Sequence, residues 1–404
     1  MRAPFLSRVR HIASRSGGQR AVAGRGHGDP APPGTGLRSA IVILPTGTCR
    51  RQSGGGLDRQ SPGPEGPQEV HVRRSIRTVV VGVVAALAVV GGSGASAGAA
   101  PFGSGSLEGP DQGYVVPQVP GPVQTRHAAA LRYAEQHPDS APAGANDFEC
   151  RPGAAHPNPV VLVHGSDSDA YTDWAALSPL LSARGFCVFA LNYGADGKPG
   201  KYARGDMTRS AGELADFVDR IRAATDSGQV DVVGYSQGAT VARYFVNRLG
   251  GDRLVGRWVG MASPTYGGNM YGLVPLLQAL PHPDRIAEWL TSEAISQQMQ
   301  GSDFLTALNA GGDTVPGPQY TTIGSRYDEM IQPYTNIALR GPGAVNLTVQ
   351  DLCPENEGGH FNMVYDPFAL GLALRTLDPA APAPECAPVP LGAGILDMII
   401  ASNS

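Results

Sequence analysis

Charged residues are scarce in this sequence, and neither sign dominates. They make up only 16% of the 404 residues, and the formal net charge is −4. Proteins that bind nucleic acid or anionic membranes usually present an excess of basic residues. The composition therefore gives no indication of a nucleic-acid partner or of an anionic membrane surface as a partner.

Patterns that bind metals and cofactors are also missing. None of the five cysteines forms a C-x-x-C pair, the spacing that many zinc sites use. No glycine-rich loop of the phosphate-binding or dinucleotide-binding kind follows a predicted strand. We therefore expect a protein that works without a metal, a flavin, a nucleotide or any other cofactor.

Methionine is absent between Met1 and Met207. Residues 1–70 are rich in Arg, Gly, Pro and Ser and show almost no apolar periodicity. Such a segment cannot bury enough apolar surface to offset its ordering entropy. We expect it to be disordered or not part of the natural product, with translation starting near Val70 or Val72.

The segment 71–99 has the layout of a secretory signal peptide. A basic head with Arg73, Arg74 and Arg77 precedes an apolar run over 79–90, and Ala-Gly-Ala at 97–99 fits the cleavage site. A membrane anchor is the alternative, but the apolar run is too short to span a bilayer comfortably. We expect a secreted protein whose mature chain starts near Ala100.

Four cysteines remain in the mature chain, and an even number in an exported protein indicates two disulfides. Four cysteines allow three pairings, of which nearest-neighbour pairing is the simplest. The residues concerned are Cys150, Cys187, Cys353 and Cys386.

The mature chain is long enough for one large α/β domain. Residues 100–145 are rich in Pro, Gly and Ala and are interpreted as an extended leader, with one short helix candidate over 127–136. From 146 to 404, short apolar runs alternate with segments of helical periodicity. This alternation predicts a mostly parallel sheet covered by helices on both faces.

The stretch "GYSQG" at 234–238 lies between a predicted strand and a predicted helix. The pattern alone is weak, because a chain with 54 glycines gives about one chance match per two such chains. "GASAG" at 94–98 also matches, but it lies in the signal segment. Only the position of Ser236 at a strand-to-helix turn fits a nucleophile.

A serine nucleophile needs a histidine base and an orienting acid, and on this type of fold the chain order is serine, acid, histidine. Of the two histidines after Ser236, His282 precedes any strand that could deliver an acid, whereas His360 follows the last predicted strand. Asp328 directly follows a predicted strand between them and is the preferred acid. Glu329 and Asp351 are the alternatives.

An oxyanion site needs donors beside the nucleophile. The backbone N–H of Gln237 starts the helix after Ser236, where the helix dipole helps. Ser166 lies in the loop after an early strand, where the second donor is expected. His164 comes before Ser236 in the chain, in the wrong order for the base, and we expect it to shape that loop.

With these residues placed, the region 140–380 resembles the secreted actinobacterial lipases of the α/β-hydrolase superfamily, and more distantly the fungal lipase B type. The resemblance implies a triacylglycerol lipase or carboxylesterase with Ser236, Asp328 and His360 as the triad, Ser166 and Gln237 in the oxyanion hole, and two sequential disulfides. Ala239 departs from the glycine of many relatives, which leaves substrate preference open. The motifs that carry the resemblance are "PAGANDFECRPGAAHPNPVVLVHG", "VDVVGYSQGATVARYFV", "GMASPTYGG", "GSRYDEMIQPY" and "LCPENEGGHFNMVYDP".

The region 264–318 contains several large apolar residues and is a candidate cap or acyl-binding wall, although packing on the core is an equal alternative. We expect a monomer that hydrolyses lipid esters or other acyl esters and contacts lipid interfaces transiently. Acyl transfer by the same triad and a non-catalytic binding protein are the alternatives. Covalent labelling by a fluorophosphonate separates the binding protein from the two enzymes.

Overall fold

The computed structural model describes residues 113–197, 200–269 and 292–401. These residues belong to one compact unit that spans 68–404. The N-terminal extension, the signal segment 71–99 and the middle of the candidate cap, with His282, lie outside the described residues.

A six-stranded sheet forms the centre of this unit. Two short strands, β1 and β2, precede it and pair in parallel with each other. The strand order in the sheet is β4-β3-β5-β6-β7-β8, and every pairing is parallel. The strands are β1 (Val119–Pro120), β2 (Ser140–Ala141), β3 (Val160–Val163), β4 (Val188–Leu191), β5 (Val230–Tyr235), β6 (Val255–Met261), β7 (Gln319–Gly324) and β8 (Val345–Thr348).

Helices connect the strands and cover both faces of the sheet, so the predicted α/β fold class, a mostly parallel central sheet flanked by helices, is confirmed. Short 3-10 turns lie at Gly251–Arg253, Tyr334–Asn336 and His360–Asn362. The helices are α1 (His127–Gln136), α2 (Ala170–Trp174), α3 (Leu177–Ser182), α4 (Met207–Thr225), α5 (Gln237–Arg248), α6 (Glu293–Gln297), α7 (Asp303–Asn309), α8 (Val349–Leu352), α9 (Pro367–Leu377) and α10 (Ile395–Ala401).

The alternation of side chains along each strand divides the core into two layers. In β3, Val160 and Leu162 pack on one face with residues of α2, α3 and α9. Val161 and Val163 pack on the other face with residues of α4 and α5. Because successive strand side chains point to opposite faces, a run of four apolar residues supplies both layers. This explains why the sequence shows continuous apolar runs rather than an apolar–polar alternation.

Residues 113–145 are packed into this unit. Tyr114 and Val116 are buried in the same layer as α4, and Val115 pairs with Asn192 just past the end of β4. The side chain of Asn146 donates to the carbonyls of Pro117 and Ala190 and accepts from the Ala190 N–H. The segment interpreted as an extended leader is therefore held by the edge of the sheet.

Two disulfides join sequential cysteines. Cys150 is bonded to Cys187, which directly precedes β4, and Cys353 at the end of α8 is bonded to Cys386. The nearest-neighbour pairing is the one that the structure has. Each bond closes a loop of more than 30 residues, 37 and 33 apart in sequence. Cross-links of this length restrict the unfolded chain strongly.

Among the residues that the structure describes, no helix has the length and apolar character needed to cross a membrane.

Candidate active site

Ser236 lies at the carboxyl end of β5, and α5 begins at the next residue. Its backbone has φ 50° and ψ −120°, a positive φ that a residue with a side chain seldom adopts. Strained turns of this kind cluster at functional sites. The turn places the serine at the carboxyl edge of the sheet, where open α/β sheets bind ligands.

The two glycines that flank this turn are required by close backbone packing. A methyl group on Gly234 would collide with the backbone of Ala239, and one on Gly238 would collide with the carbonyls of Val163 and His164. The helix α5 therefore lies directly against the end of β3. Glycine at both positions is a consequence of this close approach.

The side chains of Ser236, His360 and Asp328 form one hydrogen-bonded line. Nε2 of His360 is 3.0 Å from Oγ of Ser236, and Nδ1 of His360 is 2.9 Å from Oδ2 of Asp328. All three arrive from the carboxyl ends of strands, since Asp328 follows β7 and His360 opens the 3-10 turn after β8. The structure thus brings the three residues of the predicted triad together.

His360 is fixed through its backbone as well as its ring. Its N–H donates to Oε2 of Glu329 at 2.5 Å, and its carbonyl accepts from the hydroxyl of Tyr235 at 2.9 Å. Burial alone would lower the pKa of His360, but the charge of Asp328 and its hydrogen bond to the ring outweigh it, so the pKa is raised. The imidazole is accordingly a stronger base than a free histidine.

Asp328 is completely buried. Its Oδ1 accepts from the N–H groups of Met330 and Ile331 at 3.0 and 2.7 Å, which leaves Oδ2 for His360. The two alternative acids are placed differently. Glu329 holds the backbone N–H of His360, and Asp351 pairs with Arg326 on the surface.

Burial raises the pKa of Glu329 and outweighs the hydrogen bonds that its carboxylate accepts, which would lower it. One carboxylate oxygen, Oε1, is buried without a hydrogen-bond partner. The carboxyl group therefore resists ionisation more than an exposed glutamate does, and its described contact is with the backbone of His360, not the ring.

Ser166 and Gln237 meet beside Ser236. The hydroxyl of Ser166 is 2.7 Å from Oε1 of Gln237. Nε2 of Gln298, just after α6, lies 3.1 Å from the Ser166 hydroxyl and 3.0 Å from the same Gln237 oxygen. The structure brings the two predicted oxyanion residues together and adds Gln298, which the sequence analysis did not identify.

His164 is fully buried and does not contact the triad. Its ring stacks on Tyr193 with centroids 4.5 Å apart, and Nδ1 lies 2.9 Å from the carbonyl of Gly165. Burial lowers its pKa, so the ring is neutral and Nδ1 donates. These contacts agree with the prediction that His164 shapes the loop before Ser166.

Behind this loop lies Asp173 in α2, which is completely buried. Its Oδ2 accepts from the N–H of Gly165 at 2.7 Å, and its Oδ1 accepts from the hydroxyl of Ser168 at 2.8 Å. The sequence analysis did not identify this residue. An acid within the apolar stretch "AYTDWAALSPLL" is the signal that could have found it, since a buried carboxylate needs partners.

Within the part of the chain that the structure describes, the side chains close enough together to hold a metal ion are those of Cys353, Glu355 and Cys386. Both of its sulfur atoms are used by the disulfide. The group therefore does not have the thiolates that a zinc site requires.

The central part of this chain is similar to a known family of enzymes. Residues 157–351 match the family model described as Lipase (class 2). The matched stretch is just under half of the chain; it includes Ser236 and Asp328 and ends before His360. The match bears out the predicted enzyme class, an ester hydrolase.

Solved structures of similar topology include three bacterial or fungal proteins. Aspergillus fumigatus lipase B has a TM-score of 0.49 and 22% identity, over 65% of this chain and 65% of that one, so the chain spans just under two thirds of its length. The mature form of Bacillus licheniformis lipase BlEst2 has a TM-score of 0.42 and 18% identity, over 56% and 94%. The putative non-heme bromoperoxidase BpoC of Mycobacterium tuberculosis has a TM-score of 0.38 and 16% identity, over 56% and 93%. No curated protein matches the sequence.

Proposed function

We propose that this chain is a secreted serine hydrolase that cleaves acylglycerol-type lipid esters through an acyl-serine intermediate. The observation that carries the proposal is the line from Ser236 Oγ through the His360 ring to Asp328, with separations of 3.0 and 2.9 Å. A serine hydroxyl is a weak nucleophile unless a base takes its proton, and this arrangement supplies that base.

In the first half-reaction, Nε2 of His360 takes the hydroxyl proton of Ser236 while Oγ bonds to the ester carbonyl carbon. The carbonyl π electrons move to oxygen and give a tetrahedral oxyanion. When this intermediate collapses, the bond between the carbonyl carbon and the alcohol oxygen breaks. The proton on His360 goes to the departing alcohol.

In the second half-reaction, His360 takes a proton from water while the water oxygen attacks the acyl-serine carbon. Collapse of this intermediate breaks the carbon–Oγ bond, and the proton returns to Ser236. The products are a carboxylic acid and the free enzyme. Asp328 stays ionised throughout and stabilises the imidazolium form of His360.

The oxyanion of both intermediates is assigned to the backbone N–H of Gln237 and to Ser166, whose hydroxyl donates to Oε1 of Gln237 in this structure and would turn to donate to the oxyanion. A helix N-terminus favours negative charge beside it, and Gln237 is the first residue of α5. Loss of one such donor typically reduces kcat by about 10²–10³-fold.

Lipid esters are the proposed substrate class because the family model that matches 157–351 is a lipase model. The two disulfides support export to an oxidising environment. The chain would act as a monomer that meets its substrate at lipid interfaces. For the region 264–318, acyl binding and core packing remain the two candidate roles.

Hydrolysis of a p-nitrophenyl ester series from acetate to palmitate tests the proposal, with the mature chain from about residue 100 and Ser236→Ala in parallel. We expect activity that rises toward long acyl chains and disappears in Ser236→Ala. Activity confined to short chains would reduce the assignment to an esterase. A folded protein that hydrolyses none of the esters would contradict the proposal and favour acyl transfer or a binding role.

A further inference from the structure

His127 is the first residue of α1 and lies outside the range that the family model matches. Its side chain is buried, with 6% of its surface exposed. Nδ1 lies 3.0 Å from the carbonyl oxygen of Phe361, the residue that follows His360. Nε2 lies 2.9 Å from Oδ1 of Asp173. One imidazole therefore joins the loop that carries His360 to the buried carboxylate of α2.

The same carboxylate anchors the loop that carries Ser166. Oδ2 of Asp173 accepts from the N–H of Gly165 at 2.7 Å, and its Oδ1 also accepts from the hydroxyl of Ser168 at 2.8 Å. Gly165 and Ser168 lie on either side of the proposed oxyanion donor Ser166. The pair of His127 and Asp173 thus touches both loops that must meet over Ser236.

The hydrogen bonds of His127 fix the orientation of its ring. A backbone carbonyl can only accept, so Nδ1 carries a proton and donates to Phe361. Burial by itself raises the pKa of Asp173, but its hydrogen bond with His127 and its interactions with other nearby groups outweigh this effect, so the pKa is lowered. Nε2 of His127 lies against this carboxylate.

Aromatic rings pack against the imidazole of His127. The ring of His127 stacks on Tyr365 with centroids 5.3 Å apart and an angle of 26°. Its edge faces Tyr235, the residue before Ser236, at 6.4 Å and 72°. The described contacts thus fix both the plane of the ring and the direction of its two nitrogens.

We infer that His127 is a positioning residue for ester hydrolysis. Its two ring nitrogens hold the His360 loop and the Ser166 loop in their catalytic separation. The inference rests on the proposed function of Ser236 and His360. It also assigns a role in positioning the catalytic groups to a helix that ends more than 20 residues before the central sheet begins, since α1 ends at Gln136 and β3 begins at Val160.

Two substitutions test this role. His127→Gln keeps a hydrogen-bonding side chain, and His127→Phe keeps an aromatic ring beside Tyr365 but removes both ring nitrogens. A misplacement of about 1 Å in a catalytic group reduces the rate by about 10²-fold. We therefore expect kcat for a soluble short-chain ester to fall by about tenfold in His127→Gln and by about 10²-fold in His127→Phe, with KM within about twofold.

His137→Gln is the matched control, because His137 lies just after the same helix, is exposed, and has described side-chain contacts only with Tyr133, whose carbonyl it bonds and whose ring it stacks on. It should keep the wild-type kcat. All proteins are compared at equal folded concentration, judged by circular dichroism and by the cooperativity of thermal unfolding. A purely structural role would lower the melting temperature and leave kcat per folded molecule unchanged, and that result would overturn the inference.

Ser236→Ala in the same assay separates the two proposals. If Ser236→Ala is inactive while both His127 variants keep the wild-type kcat, the positioning role is wrong and the proposed function stands. If Ser236→Ala hydrolyses the ester normally, the proposed function fails, and the role of His127 fails with it.

Discussion

The imidazole of His360 is the side chain whose protonation decides when the proposed centre can act. As the general base it must be neutral before it can take the proton of Ser236. Its pKa is raised, because the charge and hydrogen bond of Asp328 outweigh the opposite effect of burial. The protonated, inactive form therefore persists to a higher pH than in a free histidine, whose pKa is about 6.5.

Asp328→Asn should change both the rate and its pH dependence. We expect kcat to fall by about 10⁴-fold, as the loss of the corresponding acid does in other serine hydrolases. Because the charge that raises the pKa of His360 is removed, the acid limb of kcat/KM should move to lower pH. A pH–rate profile for a soluble ester measures both effects. An acid limb that stays in place would contradict the assigned contact.

Glu329→Gln is the companion variant. Glu329 contacts the backbone N–H of His360 and makes only a smaller contribution to the His360 pKa. The amide oxygen of glutamine can still accept from that N–H, so we expect kcat to fall by no more than about tenfold. If Glu329→Gln were the more damaging of the two changes, Asp328 would not be the acid.

The residues of the proposed triad could be predicted because each has a local signature. Ser236 lies in a glycine-flanked turn, and the order of acid and histidine along the chain limits the choice of partners. His127 and Gln298 have no such signature, and the one local signal for Asp173 is that an acid lies within an apolar stretch. Asp173 is 46 residues from His127, and Phe361 is 234 residues from it. Only the folded chain brings these groups together.

The contact between α5 and the end of β3 is the element-scale feature on which the serine turn depends. Gly238→Ala should abolish hydrolysis and destabilise the fold, because its methyl group would collide with two backbone carbonyls. Gly212→Ala in the middle of α4 is the matched control, since nothing lies within 4 Å of a methyl group there. A helical Gly→Ala change should raise the free energy of unfolding by about 0.5–1 kcal/mol.

Urea unfolding and ester hydrolysis measure both glycine variants. The close packing of α5 on β3 would be contradicted if Gly238→Ala were as stable and as active as Gly212→Ala.

The end of α6 is predicted to support the oxyanion site through Gln298. Its amide donates to the Ser166 hydroxyl and to the Gln237 side chain, and so fixes both. We expect Gln298→Leu to lower kcat by about tenfold and Ser166→Ala by about 10²-fold, both with little change in KM. Because Gln298 acts through Ser166, the double variant should be close to Ser166→Ala alone.

Gln136→Leu, at the exposed end of α1, is the control for this series and should keep the wild-type kcat. Strict additivity of Gln298→Leu and Ser166→Ala would show that Gln298 does not act through Ser166.

At the element scale the sequence predicts the sheet better than the helices. The strands β3, β4 and β5 are fully buried and mostly apolar, which is why short apolar runs in the sequence mark them. The stretch 173–185 has the apolar pattern of one continuous helix in the sequence, but α2 ends at Trp174 and α3 starts at Leu177. Pro179 explains the break. It lies in the first turn of α3, where its missing N–H is tolerated, whereas the interior of one long helix would lose a hydrogen bond.

Across the whole molecule, the main difference from the sequence analysis concerns residues 113–145. Their content of Pro and Gly suggested a leader, and the helix over 127–136 was the one element predicted in it. The structure has that helix as α1 and also packs Tyr114 and Val116 into the core. These contacts depend on a chain segment meeting β4 and α4 far along the sequence, which composition does not reveal.

Removal of the disulfides tests how much the two cross-links stabilise the whole molecule. Cys150→Ser with Cys187→Ser should lower the free energy of unfolding by about 3–4 kcal/mol, as expected for a closed loop of this length. The pair Cys353→Ser with Cys386→Ser should have a similar effect, since its loop is nearly as long. Urea unfolding of the oxidised proteins gives both values. A loss below about 1 kcal/mol would show that the cross-links do not constrain the unfolded chain as this model assumes.

The most direct test of the central claim is the site and stoichiometry of fluorophosphonate labelling, measured by mass spectrometry of peptides alongside residual hydrolysis of p-nitrophenyl butyrate. The account predicts one adduct per chain, on Ser236, with hydrolysis lost in proportion to labelling. Labelling at another residue, or full hydrolysis by a chain fully labelled at Ser236, would contradict it.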